Sequence, residues 1–374
     1  MTTNREFPHA MLREIYEQPE ALRHTLAAYT EDNALREVPF ASALEALTGR
    51  HNMLISASGS SRHAGLIGEV LLEDFAGLPV DVEYASEYIY RSTQTMTAPC
   101  FLVLSQSGET ADTLEALREA KSRGASTVAI TNHESSTMAH MAQCSLPTKA
   151  GLEKAIPSTK SFTTQLLVLN LFALFAARVR GRMTRAVIEQ HLASLERLPA
   201  QIEQALPAWE RTIADLARQV LGPQTFLFLG RGIHYPIARE GALKMKESAY
   251  VHAEGYPTGE LKHGPNALVS NETTVLVLAT HDPASPDSVL RYDSTVRLLH
   301  DLKQQGATVI AVATEGDSVV PGASQHTLFV PPCPEHLAPI LEVVPLQLFA
   351  YFAAIERGID VDRPRNLTKA VLNA

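Results

Sequence analysis

The sequence holds few cysteines, no run of basic residues and no apolar leader. Cys100, Cys144 and Cys333 are the three in 374 residues, and they form no CxxC pair. Two of them lie in or near expected strands, where burial makes a thiol inert, and this usage fits a reducing cytoplasm. The formal net charge of -9 and a pI near 5.9 exclude generalised nucleic-acid affinity, so any anion site must be local. Met1 to His9 lacks a signal core. The longest apolar stretch, Leu166 to Ala177, is interrupted by Asn170 and is expected to be too short for a bilayer; it reads as a buried core helix, with no membrane partner.

What is present is a chain able to bury large cores: 374 residues with 45% hydrophobic content suggest two or three domains. Its organising stretch is Ser105-Gln106-Ser107-Gly108-Glu109-Thr110, between the apolar run Cys100 to Leu104 and a segment of helical spacing, Ala111 to Gly124. A strand-to-helix turn presents free N–H groups at the positive end of a helix dipole. Hydroxyls, a glutamine amide and a glycine in that turn suit a sugar phosphate. An ordinary N-cap with extra hydroxyls has the same look.

In chain order, Pro8 to Tyr29 reads as helical with a break at Pro19, then Asn52 to Ala57 as a strand, Ser58 to Ser61 as a turn, Arg62 to Leu78 as a helix and Val80 to Tyr84 as a strand. After the cradle come a strand at Ser126 to Thr131 and an edge strand at Ser145 to Pro147. This alternation predicts an α/β fold with a doubly wound, mostly parallel sheet whose ligand lies at the carboxyl ends of the strands. Thr184 to Leu221 reads as a connecting helix pair broken at Pro199 and Pro207. Then the pattern restarts: Thr225 to Gly232 with the helix Ile237 to Val251, then Thr274 to Ala279, the helix Ser288 to Gly306 and the strand Thr308 to Val312. The second copy has Thr280-His281-Asp282-Pro283 in place of the cradle, so one phosphate site per chain is expected. The helix Pro339 to Arg357 and a polar tail from Asp360 close the chain.

Three further places can carry chemistry. Lys244 and Glu247 lie three apart on one helix face, as a proton shuttle or as an ordinary surface ion pair. His263 precedes Gly264-Pro265 in an irregular loop, as an acid-base group or a solvated histidine. No HxxxH or His/Cys cluster stands near it, so no metal is expected. Lys369 sits in a tail whose proline and apolar residues suit docking, where a desolvated lysine can attack a carbonyl; a loose basic tail is the alternative.

With these residues in view the chain resembles, nearly end to end, the isomerase half of the glutamine:fructose-6-phosphate amidotransferase (glucosamine-6-phosphate synthase) family, a pair of SIS (sugar isomerase) domains. Glu14 to Pro19, Ser105 to Thr113, Ser158 to Gln165, Glu240 to Glu247, Gly259 to Pro265 and Pro364 to Lys369 carry the resemblance, in the family's order. It implies an N-terminal helical arm over 1-30, SIS domains over 31-182 and 223-359, a helical connector over 183-222 and an active-site tail over 360-374. It also implies that Ser61, Ser105, Gln106, Ser107 and Thr110 hold the sugar phosphate and that Ile156 and Ser158 line the sugar. Glu247 would then move a proton between C1 and C2 beside Lys244, His263 from a partner subunit would open the ring, and Lys369 would form a Schiff base with the open-chain ketose. Ser58, where the family often has cysteine, and Pro157 depart from the pattern.

The family's glutaminase domain, with its N-terminal cysteine nucleophile, does not precede this stretch of sequence, so amide transfer is not expected of it. The expected activity is that of an amino-sugar phosphate deaminase, glucosamine 6-phosphate giving fructose 6-phosphate and ammonia, without cofactor or metal and in a cytoplasmic homodimer. The alternatives are a fructosamine-6-phosphate type deglycase, ammonia-dependent glucosamine-6-phosphate synthesis, and a non-catalytic sugar-phosphate sensor, which would need the cradle but not Glu247, His263 and Lys369 together.

Overall fold

The computed structural model describes residues 5–91, 99–222 and 225–369, so the last residues of the expected tail, 370–374, lie outside them. The chain divides into two compact units. One, the amino-terminal unit, takes residues 20–153, 160–199 and the tail from 368; the other, the carboxy-terminal unit, takes the residues up to 19 together with 154–159 and 200–367.

The amino-terminal unit runs β1 (Met53–Ala57), α1 (Gly59–Ala76), β2 (Val80–Tyr84), β3 (Cys100–Ser105), α2 (Ala111–Ser122), β4 (Ser126–Thr131), β5 (Cys144–Pro147) and α3 (Lys160–Val179). Its sheet has the order β2-β1-β3-β4-β5, and each of these pairings is parallel. Because β1, β3 and β4 are buried at every position, they read in sequence as continuous apolar runs rather than as alternation. The strand order reverses between β1 and β3, where Ala57 lies opposite Leu104. The Ser58 and Ser105 turns therefore leave the sheet side by side, at the crevice where ligands of such sheets bind.

The carboxy-terminal unit repeats this plan with β6 (Thr225–Gly230), α4 (Tyr235–Ala249), β7 (His252–Pro257), β8 (Thr273–Ala279), α5 (Pro286–Gln304), β9 (Thr308–Thr314), β10 (His326–Val330) and α6 (Ala338–Glu356). Its sheet order is β10-β9-β8-β6-β7, also parallel throughout, so its strands have the same spatial sequence as those of the first sheet. The expected repeat and the expected α/β fold of two doubly wound sheets are thus both present.

Three sequence expectations need correction. α3 spans 20 residues, and it and the helix over Glu335–Glu356 are long and apolar enough to cross a membrane by length and composition. The judgement that the Leu166 stretch is too short fails because the helix begins earlier, at Lys160; its core-helix character holds, with 89% of the tested window buried inside the protein. The break in the first arm falls at Glu17, between helices Ala10–Tyr16 and Gln18–Tyr29, and Pro19 lies in the first turn of the second, where a missing N–H costs little. Pro207 does not end a helix. Leu198–Val220 runs through it, since the buried stripe Ile202, Leu206, Trp209, Ile213 and Leu216, at about 1.5–3 kcal/mol for each buried side chain, outweighs a proline penalty of about 3 kcal/mol.

α1 packs against both its sheet and α3 through glycines. A Cβ on Gly65 would lie 2.9 Å from Ile55 Cγ2, and one on Gly68 2.8 Å from Leu169 Cδ2. Both neighbours are fully buried and have no room to retreat. Gly68→Leu is expected to destabilise the protein by about 1–3 kcal/mol through overpacking, read as a lower urea midpoint. An unchanged midpoint would show that α1 and α3 are not in close contact.

Candidate functional site

In the amino-terminal unit the turn after β3 forms a network of hydroxyls. Ser105 Oγ lies 3.0 Å from Thr110 Oγ1 and 3.5 Å from Ser107 Oγ, and it accepts the Gly108 N–H at 3.1 Å; Ser107 Oγ accepts the Glu109 N–H at 3.1 Å. Thr110 is the N-cap of α2, yet its hydroxyl meets Ser105, so the turn is more than a capped helix start. Gly108 has φ +67°, and a Cβ there would fall 2.2 Å from Ser136 Oγ, so only glycine lets the turn fold this tightly. Gln106 reaches His133 at 3.5 Å. On the neighbouring turn Ser61 Oγ accepts from Gln165 Nε2 at 3.0 Å. The five expected phosphate residues thus stand at the ends of β1 and β3, partly exposed apart from the buried Ser105, with N–H donors and a helix start beside them.

Lys369 belongs to the same unit, and its ammonium lies 2.5 Å from the carboxylate of Glu153. The tail that leads to it is docked rather than loose. Within the carboxy-terminal unit, Asp362 accepts the N–H groups of Ala10 and Met11 at 2.7 and 3.2 Å, and the Arg365 N–H donates to the Tyr250 hydroxyl at 2.6 Å.

The carboxy-terminal unit holds the other candidates. Lys244 is fully buried on α4, its Nζ 2.5 Å from Glu247 Oε2 and 3.4 Å from Glu240 Oε1. Burial alone would lower its pKa, but the two carboxylates overcome this and raise it, so the lysine stays an ammonium. An ordinary surface ion pair is excluded. Glu240 is also fully buried, while Glu247 is 21% exposed, so Glu247 is the member of the trio that can reach a ligand. Ile156 and Ser158 lie in the segment 154–159, half-buried, and Glu14 fixes the start of that segment by accepting the Lys154 N–H at 2.6 Å and the Ala155 N–H at 3.1 Å. His263 ends a short 3-10 turn, Glu260–His263, and is exposed.

At the matching crevice of this second sheet there is no hydroxyl cradle among the described residues but an ionic cluster. His234 lies 2.8 Å from Glu342 Oε1 and 3.3 Å from Glu335 Oε1; Arg291 Nε donates to Glu335 at 2.9 Å, and the Thr280 hydroxyl donates to Glu342. Burial raises the Glu335 pKa, but hydrogen bonds from His234 and Arg291 hold it well below the carboxylate range. Where the sequence places Thr280-His281-Asp282-Pro283, the side chains of this cluster are thus mostly charged and paired with one another.

Cys100 and Cys144 lie in β3 and β5, where burial pushes each thiol up to about 12. Among the described residues no three His, Cys, Asp or Glu side chains gather as a metal site. Sequence reading missed Glu153, which no spacing rule ties to a lysine 216 residues away, and Glu240, which the four-residue helical spacing to Lys244 could have found.

For His234, burial alone would lower the pKa, but Glu342 and Glu335 push it up to about 9. An unfolded histidine titrates near ~6.5, so the stabilisation is complete below that pH and is lost as pH rises through about 9. Between pH 6 and 9.5 wild type is expected to lose on the order of 3 kcal/mol more than His234→Gln does, measured by urea unfolding. Equal losses would mean that the ring is neutral in the folded protein.

Comparison with known proteins matches the SIS domain to residues 46–175 and again to 223–357. The chain is 42% identical over 371 residues to the glutamine–fructose-6-phosphate aminotransferase (isomerizing) of Gloeobacter violaceus, covering 99% of this chain and 60% of that protein. It spans about three fifths of the length of the curated relatives it matches. Among solved structures it is similar to the C-terminal domain of glucosamine-fructose-6-phosphate aminotransferase from Francisella tularensis, with a TM-score of 0.88, 35% identity and coverage of 97% of this chain and 99% of that one. It is also similar to glucosamine-6-phosphate deaminase from Thermotoga maritima, with a TM-score of 0.71, 25% identity and coverage of 97% and 99%.

Proposed function

We infer the activity from one premise: the chain belongs to the SIS domain family and carries that domain twice, as a phosphosugar isomerase of the aminotransferase isomerase-domain type. We propose that it converts glucosamine 6-phosphate to fructose 6-phosphate and ammonia. The observation that carries this reading is the buried Glu240–Lys244–Glu247 trio, in which an ammonium held between two carboxylates leaves Glu247 as a partly exposed base. The names of the Gloeobacter violaceus and Thermotoga maritima proteins, an aminotransferase of fructose 6-phosphate and a deaminase of glucosamine 6-phosphate, support an amino-sugar or ketose 6-phosphate as the substrate.

In this reading Ser61, Ser105, Gln106, Ser107 and Thr110 hold the phosphate, and Ile156 and Ser158 line the sugar. His263 opens the ring. Glu247 then takes the C2 proton and returns a proton to C1, while Lys244 keeps the carboxylate oriented and offsets charge on the enolamine. The resulting C2 imine exchanges its nitrogen with Lys369, releasing ammonia, and water hydrolyses the lysine imine to the ketose. The exposure of His263 supports its service to a second copy in a homodimer, and the buried thiols of Cys100 and Cys144 support a cytoplasmic setting. The domain limits we propose are 31-182 and 223-359, with the tail from 360 completing the site.

A second reading, synthesis of glucosamine 6-phosphate from fructose 6-phosphate and a nitrogen donor, is favoured by the name of the curated relatives. The two are separated by supplying glucosamine 6-phosphate and measuring ammonia, then supplying fructose 6-phosphate with ammonium and measuring the amino sugar. Ammonia release in the first assay supports the deaminase; formation of amino sugar alone supports synthesis.

Glu247→Gln is expected to lower turnover by ~10²–10⁴ while fructose 6-phosphate still binds within a few-fold of wild type. Normal turnover would remove Glu247 from the mechanism. Ser105→Ala is expected to weaken fructose 6-phosphate binding about 10–100-fold, from the ~1.5–3 kcal/mol of a hydrogen bond to a charged group. Calorimetry showing unchanged affinity would move the phosphate elsewhere.

A further inference from the structure

Glu153 is a fully buried carboxylate to which the proposed reaction gives no role. It lies between β5 and α3 and serves as a remote cap on α3: one oxygen accepts the Ser161 N–H at 3.0 Å, the other accepts the Ser161 hydroxyl at 2.7 Å. The second oxygen also faces Lys369 Nζ at 2.5 Å. Burial pushes the Glu153 carboxyl up, but the Lys369 ammonium and then the Ser161 donors bring it below its ordinary value, so it is ionised at neutral pH. The other charged side chains of the segments meeting here are Lys154, exposed and next in the chain, and Lys160 at the start of α3, whose Nζ lies 4.0 Å from the Cβ position of Gly151.

A lysine pressed against a carboxylate is an ammonium, and an ammonium has no lone pair with which to attack a carbonyl. Imine formation at Lys369 must begin with loss of a proton, and the carboxylate of Glu153 is already within hydrogen-bond distance of it. We propose that Glu153 is the positioning residue of Lys369 and its internal proton acceptor, an inference that rests on the reading of Lys369 as the imine-forming amine.

The step balances. The ammonium passes one proton to Glu153, the free amine adds to C2 of the ketose, and the C–O π bond opens to a carbinolamine whose hydroxyl takes a proton from the nitrogen. Glu153 returns its proton to that hydroxyl, the C–O bond breaks and water leaves. The products are a protonated imine on Lys369 and an ionised Glu153, so the net charge is unchanged. Because the proton stays within the pair, the rate is independent of pH wherever the pair holds one proton between its two members.

The test is borohydride trapping of the full-length protein with fructose 6-phosphate, the adduct on Lys369 being measured by mass spectrometry at short times from pH 6 to 9. Wild type is expected to label at a rate flat in pH. Glu153→Gln, which keeps hydrogen bonding to Ser161 but cannot take the proton, is expected to label about 10²-fold more slowly at pH 7 and to recover roughly tenfold per pH unit as solvent removes the proton instead. Glu153→Asp, a shorter base, is expected to be slow but flat, and it carries the test if Glu153→Gln does not fold. A Glu153→Gln profile flat at the wild-type rate, or a sloping Glu153→Asp profile, overturns the role of Glu153 while leaving Lys369 in place. Absence of any adduct on wild type overturns the lysine's reading and this proposal with it.

Discussion

A charge removed from water must be matched within a few ångströms, and this requirement shapes both units. Lys244 is matched by Glu240 and Glu247, Glu153 by Lys369 and the Ser161 donors, and His234 by Glu335 and Glu342. Each group would be costly alone. Together they fix side-chain positions more tightly than apolar packing does, since an ion pair tolerates little displacement in a low-dielectric interior. The parallel sheets supply the frame: their buried strands place the turns, and the turns and following helices carry the charges.

The two sheets share a strand order but put different chemistry at the equivalent crevice. After β3 the chain offers uncharged hydroxyls and N–H groups, a surface that gains by receiving an anion. After β8 the same place is taken up by a protonated imidazole, two carboxylates and a guanidinium that satisfy one another. A self-neutralised cluster gains nothing from a phosphate, so the two crevices differ in chemistry although the sheets repeat.

How much of this was legible in the sequence depended on whether the signal was local. β2 matches its expected span at Val80–Tyr84, and Ser105 to Thr110 announces its turn, because an apolar run, a glycine and hydroxyls sit within a few residues of one another. The family itself was readable from short motifs and is the one the comparisons show. Pro207 was misread because local propensity favours a break, while the buried stripe that overrides it belongs to tertiary packing. The short-span reading of the Leu166 stretch missed the first turn of α3, whose polar Lys160, Ser161, Thr163 and Thr164 are buried in the fold. Glu153 was invisible because its partner is distant in sequence, and a glutamate beside a lysine in a loop carries no pattern.

The Asp362 carboxylate clasps the amino end of the first helix at Ala10 and Met11. In polymer terms, that clasp is a non-covalent crosslink between positions 352 residues apart. Fraying of the first helix's opening turn therefore frees the Asp362 carboxylate as well, so the two segments gain and lose order together.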